Sequence, residues 1–167
     1  MKEKVYLETT VASYFSSRPS NDIIILARQR ITQQWWERAI VRYSIFISEA
    51  VIEEAADGDA QAAQKRLLAI KQFPLLDINE NVAALYKVYI KRLAIPQRAL
   101  RDAVHLAVAS VHCMDYLVTW NCAHIANGEI IKKVMEVNID LGVSIPVIVT
   151  PEELLEAIRK AIEQEGA

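Results

Sequence analysis

Cysteine is scarce in this 167-residue chain: Cys113 and Cys122 are its only two copies and form no Cys-x-x-Cys pair. That excludes a disulfide framework and predicts reduced thiols in a reducing compartment. Glycine and proline, at 4 and 5 residues, are too few for a collagenous, linker-like or disordered chain. No Gly-rich phosphate loop, Walker sequence or dinucleotide fingerprint occurs. A basic excess is also missing, since 19 Lys+Arg stand against 21 Asp+Glu for a formal charge of −2. This argues against a protein that coats nucleic acid by broad phosphate neutralisation, but not against an enzyme that touches a short stretch. Long apolar runs are absent too. The opening segment Met1 to Glu8 lacks a signal-peptide core, and nothing approaches the ~18 uncharged apolar residues of a membrane span. The expectation is a cytoplasmic protein with no membrane contact.

What is present is enough apolar side chain, 53% of residues, to bury one core without disulfides or structural metals. Residues 1–167 read as a single domain. Short β-branched and aromatic runs alternate with long amphipathic stretches, the pattern of an α/β domain with a mainly parallel sheet. The candidate strands are Val5 to Leu7, Ser44 to Ile47, Tyr116 to Thr119 and Pro146 to Val149, with a short one at Leu75 and Leu76. A helix is expected from Asn21 to Arg42, its apolar stripe running through Ile24, Ile25, Arg28, Ile31, Trp35 and Ala39. Ser48 is the expected N-cap of the next helix, to Ala56, with Gly58 as its stop. Asp59, Asn79 and Pro96 open further helices to about Gln72, Leu93 and His112, and a terminal helix starts at Pro151.

Ligands of open parallel sheets bind beyond the carboxyl ends of the strands. Four polar groups meet that condition: Glu8 after the first strand, Glu54 two turns past Ser48, Asp102 at the mouth of an apolar helix, and Asn121 after Thr119. Taken singly, each has an ordinary explanation as a cap, a solvated face or a partner of Arg98 or Arg101. Together they converge on one pocket. Clustered carboxylates repel unless a cation lies between them, and oxygen ligands select a hard ion, Mg²⁺ or Mn²⁺. Such an ion serves in-line hydrolysis of a phosphodiester.

At these residues the sequence resembles the PIN-domain ribonucleases, in particular the VapC-like toxins of type II toxin–antitoxin modules. The matching order is Glu8-Thr9-Thr10, then Ser48, Glu54 and Gly58, then Asp102-Ala103 through Ala107 and Ala109, then Thr119-Trp120-Asn121. The resemblance implies a three-layer α/β/α fold with a central mainly parallel sheet, and a Mg²⁺- or Mn²⁺-dependent endoribonuclease. Glu8, Glu54 and Asp102 would bind metal, and Asn121 would complete the site or orient water. The implied partners are an RNA substrate, a cognate antitoxin and a second copy in a homodimer. Two positions depart from the pattern: Glu8 replaces the usual Asp, and Asn121 replaces a common Asp and adds no charge. Glu53 and Glu49 are fallbacks for Glu54. The alternative is a catalytically degenerate module of the same fold whose acidic pocket receives a basic peptide.

Other constellations carry less. His105 and His112, seven apart with Cys113 adjacent, match no closed zinc site and read as ordinary helix residues. His124 reads as a loop residue near the pocket, Cys122 as an unreactive thiol without a Cys-His-acid arrangement, Trp35 as core and Trp36 as half-exposed.

Overall fold

The computed structural model describes residues 1–165. Its elements, in chain order, are β1 (Lys4–Leu7), α1 (Thr9–Ser16), α2 (Ile23–Arg42), β2 (Ser44–Ser48), α3 (Glu49–Ala56), α4 (Ala60–Ile70), β3 (Leu75–Leu76), α5 (Glu80–Arg92), α6 (Leu100–Val111), β4 (Tyr116–Val118), α7 (Gly128–Leu141), β5 (Val147–Val149) and α8 (Pro151–Glu165). The five strands form one sheet in the order β3-β2-β1-β4-β5, and every pairing is parallel. Each crossover carries helix, so α2 packs on α8 while α5 packs on α6 and α7. The fold class expected from the sequence is the one observed.

β1 lies at the centre, paired to β2 through Tyr6 and Phe46 and to β4 through Tyr6 and Leu117. Val5, Tyr6 and Leu7 are fully buried, as a strand covered on both faces requires. From β1 the chain moves outward to β2 and β3, then crosses to β4 and β5 on the other side. The order reverses between β1 and β4, where a parallel sheet opens a crevice beyond its strand ends.

The strands fall where the apolar runs place them, but two helices escape the sequence pattern. α1 is short and rich in Ser and Thr; Glu8 caps it by accepting from the Thr10 N–H, and Val11 and Ala12 hold it to the core. α7 has both terminal signals, an Asn127 cap and Gly142 at φ 64°, the left-handed geometry that suits glycine.

Three local readings are corrected. α2 begins at Ile23 because the Asp22 carboxylate accepts from the Ile24 and Ile25 N–H groups. Its buried face runs through Gln29, Thr32, Trp35, Trp36 and Ala39, leaving Ile24 64% exposed rather than in the core. Gln29 and Thr32 are tolerated inside because they are satisfied: Gln29 bonds the Arg18 carbonyl and the Ser20 N–H, and Thr32 accepts from the Trp120 indole. Trp36 is buried, not half-exposed, and stacks on Phe15 at 4.0 Å between centroids. Ser48 makes no capping bond; its hydroxyl turns inward to Tyr6 instead.

Candidate functional site

The crevice at the β1/β4 reversal is a cleft of about 450 Å³ lined by Glu8, Thr9, Thr10, Ser13, Tyr14, Ser17, Ile25, Gln29, Glu54, Asp102 and Asn121. All four residues singled out by the sequence therefore face one space. Glu8 arrives from the end of β1, Glu54 from α3, Asp102 from the first turn of α6, and Asn121 from the loop after β4. Glu53 and Glu49 are exposed on α3 and line none of it. Asp115 is at the opposite edge of the sheet, accepting from the Lys4 N–H at 2.7 Å.

Glu8 is 3% exposed. Its Oε2 accepts from the Thr10 N–H, the Thr10 hydroxyl and the Thr119 hydroxyl. The two threonines are fixed in turn, because Thr10 Oγ1 accepts from the Trp120 N–H and Thr119 Oγ1 from the Asn121 N–H. One oxygen is thus pinned, while Oε1 has no hydrogen-bond partner among the described residues. Glu54 repeats the arrangement: Oε2 accepts from the Thr9 hydroxyl and from His105 Nε2 at 3.2 Å, and Oε1 is left open.

His105 is the residue that sequence reasoning missed. It is fully buried on α6, with Nδ1 2.7 Å from the Tyr6 hydroxyl, which lies 2.8 Å from Ser48 Oγ. Burial raises the Tyr6 pKa well above its ordinary value, so the phenol keeps its proton. If His105 is neutral, Tyr6 donates to Nδ1 and Nε2 carries the ring proton. If it is protonated, both nitrogens carry one. In either state Nε2–H donates to Glu54. Glu8, Glu54 and His105 each place a ligand atom within 4.8 Å of the others, but the His105 nitrogen that faces the carboxylates is occupied by a proton. The two glutamates are the open donors, and His105 holds one of them. His112 faces elsewhere, with Nε2 2.8 Å from the Asp77 carbonyl oxygen.

Electrostatics follow this wiring. Burial pushes the Glu8 carboxyl above its usual range, against the opposing pull of His105 and its threonine hydroxyls. Burial also acts to raise Glu54, but the His105 bond and charge with Thr9 outweigh it and its pKa is lowered. His105 shows the mirror image: burial favours its neutral form, yet the surrounding carboxylates prevail and raise it. Burial raises Asp102, partly offset by a hydrogen bond from Asn121 and by His105 and His124. Asn121 Oδ1 accepts from the His124 N–H at 3.0 Å, so its amide nitrogen is the group left to face Asp102. Arg101, expected beside Asp102, instead pairs with Asp57 at 2.9 Å, and Arg98 is exposed.

No family model and no curated protein matches the sequence. Solved structures do match by fold. The structure of VapBC2 from Rickettsia felis, bound to a DNA fragment from their promoter, superposes with a TM-score of 0.56 at 13% identity, covering 88% of this chain and 98% of that one. A tyrosyl-tRNA synthetase from Aeropyrum pernix gives 0.50 at 10% identity over 90% of this chain and 52% of its own. At such identities the likeness is one of fold, and with the five-stranded parallel sheet flanked by helices it makes this chain a PIN-like α/β structure.

Proposed function

We propose that this protein is a divalent-metal-dependent endoribonuclease, the toxin of a type II toxin–antitoxin module, with Glu8, Glu54 and Asp102 as metal ligands. The observation that carries the reading is the paired state of Glu8 and Glu54. Each has one oxygen locked by protein donors and one left open, and the pair lies within metal-bridging distance in a cleft at the sheet reversal. Carboxylate donors with no thiolate and no free imidazole nitrogen suit Mg²⁺ or Mn²⁺. Bound there, the ion would supply Lewis-acid charge at a phosphate and acidify a water.

The chain's own groups have separable tasks. His105 and Thr9 fix Glu54, the Thr10 and Thr119 hydroxyls fix Glu8, and Asn121 stands beside Asp102 on the cleft wall. Asp102, facing the cleft from the first turn of α6, would complete the ligand set, and Asn121 would complete the site or orient the attacking water. The fold likeness to VapBC2 supports the toxin–antitoxin assignment. Ile23 and Ile24, 81% and 64% exposed beside the cleft-lining Ile25, supply unpartnered apolar surface of the kind an antitoxin covers. A homodimer and a cytoplasmic location belong to the same proposal; among the described residues no helix is long and apolar enough to cross a membrane.

One observation favours the second reading, a non-catalytic module that receives a basic peptide: the Asn121 carbonyl oxygen is already engaged by the His124 N–H. The two separate on a mixed RNA pool incubated with Mn²⁺, with and without chelator. Chelator-sensitive cleavage that disappears in Asp102→Asn, with thermal unfolding little changed, is the expected result. No cleavage by the wild-type protein at high concentration would overturn the nuclease reading.

A further inference from the structure

A second cleft, of about 410 Å³, adjoins the acidic one. It is lined by Ser16, Ser17, Arg18, Asp59, Gln61, Ala62, Lys65 and Arg66, and Ser17 is a wall of both. Their charges are opposite. Glu8, Glu54 and Asp102 make the first cleft anionic, whereas Arg18, Lys65 and Arg66 face only Asp59 in the second. Asp59 is already engaged, since its Oδ1 caps α4 through the Ala62 N–H.

The three cations are not equivalent. Arg66 is committed to the end of α3, donating to the Ala55 and Asp57 carbonyls. Arg18 and Lys65 are exposed and have no side-chain partner among the described residues. Arg18 is nevertheless held in place through its backbone. The buried Gln29 donates to its carbonyl and accepts from the Ser20 N–H, both at 2.9 Å, so the loop that carries it is clamped to α2. Gln29 also lines the acidic cleft. A chain with net charge −2 has no general attraction for a polyanion, and two unneutralised cations on a fixed rim beside the site are a local exception.

We infer that this basic cleft is a phosphate subsite for single-stranded RNA: Arg18 and Lys65 grip backbone phosphates of the strand next to the bond held in the acidic cleft. The inference rests on the nuclease reading for its choice of ligand, but is tested by binding alone. The probe is a fluorescent mixed-sequence RNA 12-mer, titrated in Mg²⁺ against the Asp102→Asn protein and against the same protein carrying Arg18→Ala and Lys65→Ala. The double variant should bind about tenfold more weakly at moderate salt, and the slope of log affinity against log salt should fall by about 1.4, roughly 0.7 per lost phosphate contact. Lys87→Glu with Lys160→Glu, which line neither cleft, should change affinity far less. Unchanged affinity and slope, an equal loss in the control pair, no RNA binding at all, or tighter binding of oligoglutamate than of RNA would each overturn the subsite. If RNA binds through these cations but the wild-type protein cuts nothing, the subsite stands and the nuclease reading fails. If the wild type cuts and the double variant binds normally, the subsite alone fails.

Discussion

Two buried tyrosines anchor polar networks on the same helix, and the networks differ in one respect. Around Tyr89 the bonds close on themselves. Its hydroxyl donates to Asn138 Oδ1, the Asn138 amide donates to Ser110 Oγ, and the Ser110 hydroxyl completes the triangle at 3.0 Å. The remaining Asn138 hydrogen goes to the Ser144 carbonyl. Tyr6 begins a chain of the same kind, through His105 to Glu54, but this one ends at an open carboxylate oxygen in a cleft. A closed network has nothing left to offer a ligand, and its value is confined to stability. An open one carries the same core rigidity out to the cleft wall and leaves an acceptor oxygen there.

Substitutions should pull the two apart. The largest effect is expected from Glu54→Gln, which keeps the shape and the acceptor oxygen but removes the charge. Under the nuclease reading, RNA cleavage should fall by about a thousandfold, in the range seen when a preorganised charge-stabilising group is removed, while the unfolding midpoint falls only modestly, since the fold favours the ionised form of Glu54. Cleavage near the wild-type rate would show that the open chain is as structural as the closed one. Next comes Asn138→Ala, which leaves the Tyr89 and Ser110 hydroxyls only each other and strips the Ser144 carbonyl of its donor. Denaturant unfolding should reveal a loss of about 2–3 kcal/mol, with cleavage per folded molecule unaffected. A drop in turnover without a drop in stability would contradict the division.

His105→Phe should be smaller in stability terms but diagnostic, because it cuts the open chain at its middle. Mn²⁺ affinity, read by calorimetry, is expected to weaken about tenfold as Glu54 loses its orientation, in line with the cost of removing a group that fixes a metal ligand. His105→Gln, whose amide nitrogen reaches the Nε2 position and can still donate to Glu54, should recover part of it. Equal weakening in both variants would mean that the histidine only fills space. The gentlest test is pH. Burial raises Glu8 above the ordinary carboxylate range, so protons compete with the ion there, and Mn²⁺ affinity should rise as pH increases from acidic values through that raised value. A pH-independent affinity would remove Glu8 from the ligand set.

The same contrast explains which parts were readable in the sequence. Strands of the sheet are short β-branched and aromatic runs, and their period and composition locate them. A parallel sheet gathers its strand ends, which points to Glu8 and Asn121, while the resemblance selects Glu54 before Gly58 and Asp102 at the mouth of α6; the four share one cleft. His105 was not singled out. Its function depends on which side of β1 the Tyr6 hydroxyl leaves, how β1 sets beside β2, and the rotation of α6, none of which has a sequence period. Its spacing to His112 matches no closed zinc site, so the sequence marks it only as an ordinary helix residue. Trp36 and the upper stripe of α2 were misassigned for a related reason. Apolar spacing identified a helix, but Gln29 and Thr32 displaced Ile24 and Ile25 from its buried face by finding partners inside. The α1 helix escaped because tertiary packing and the Glu8 cap, more than propensity, hold it.

The bond from Thr119 to Glu8 spans 111 residues of sequence. Loop closure on that scale gains nothing until the last partner arrives, so the cleft is completed late. A chain emerging from the ribosome holds Glu8, Thr10 and Glu54 early, yet without β4 and the loop after it Glu8 lacks its Thr119 hydroxyl and Asp102 lacks Asn121 beside it. Under the nuclease reading, synthesis itself keeps the growing chain harmless to the RNA around it until more than two thirds of it has been made.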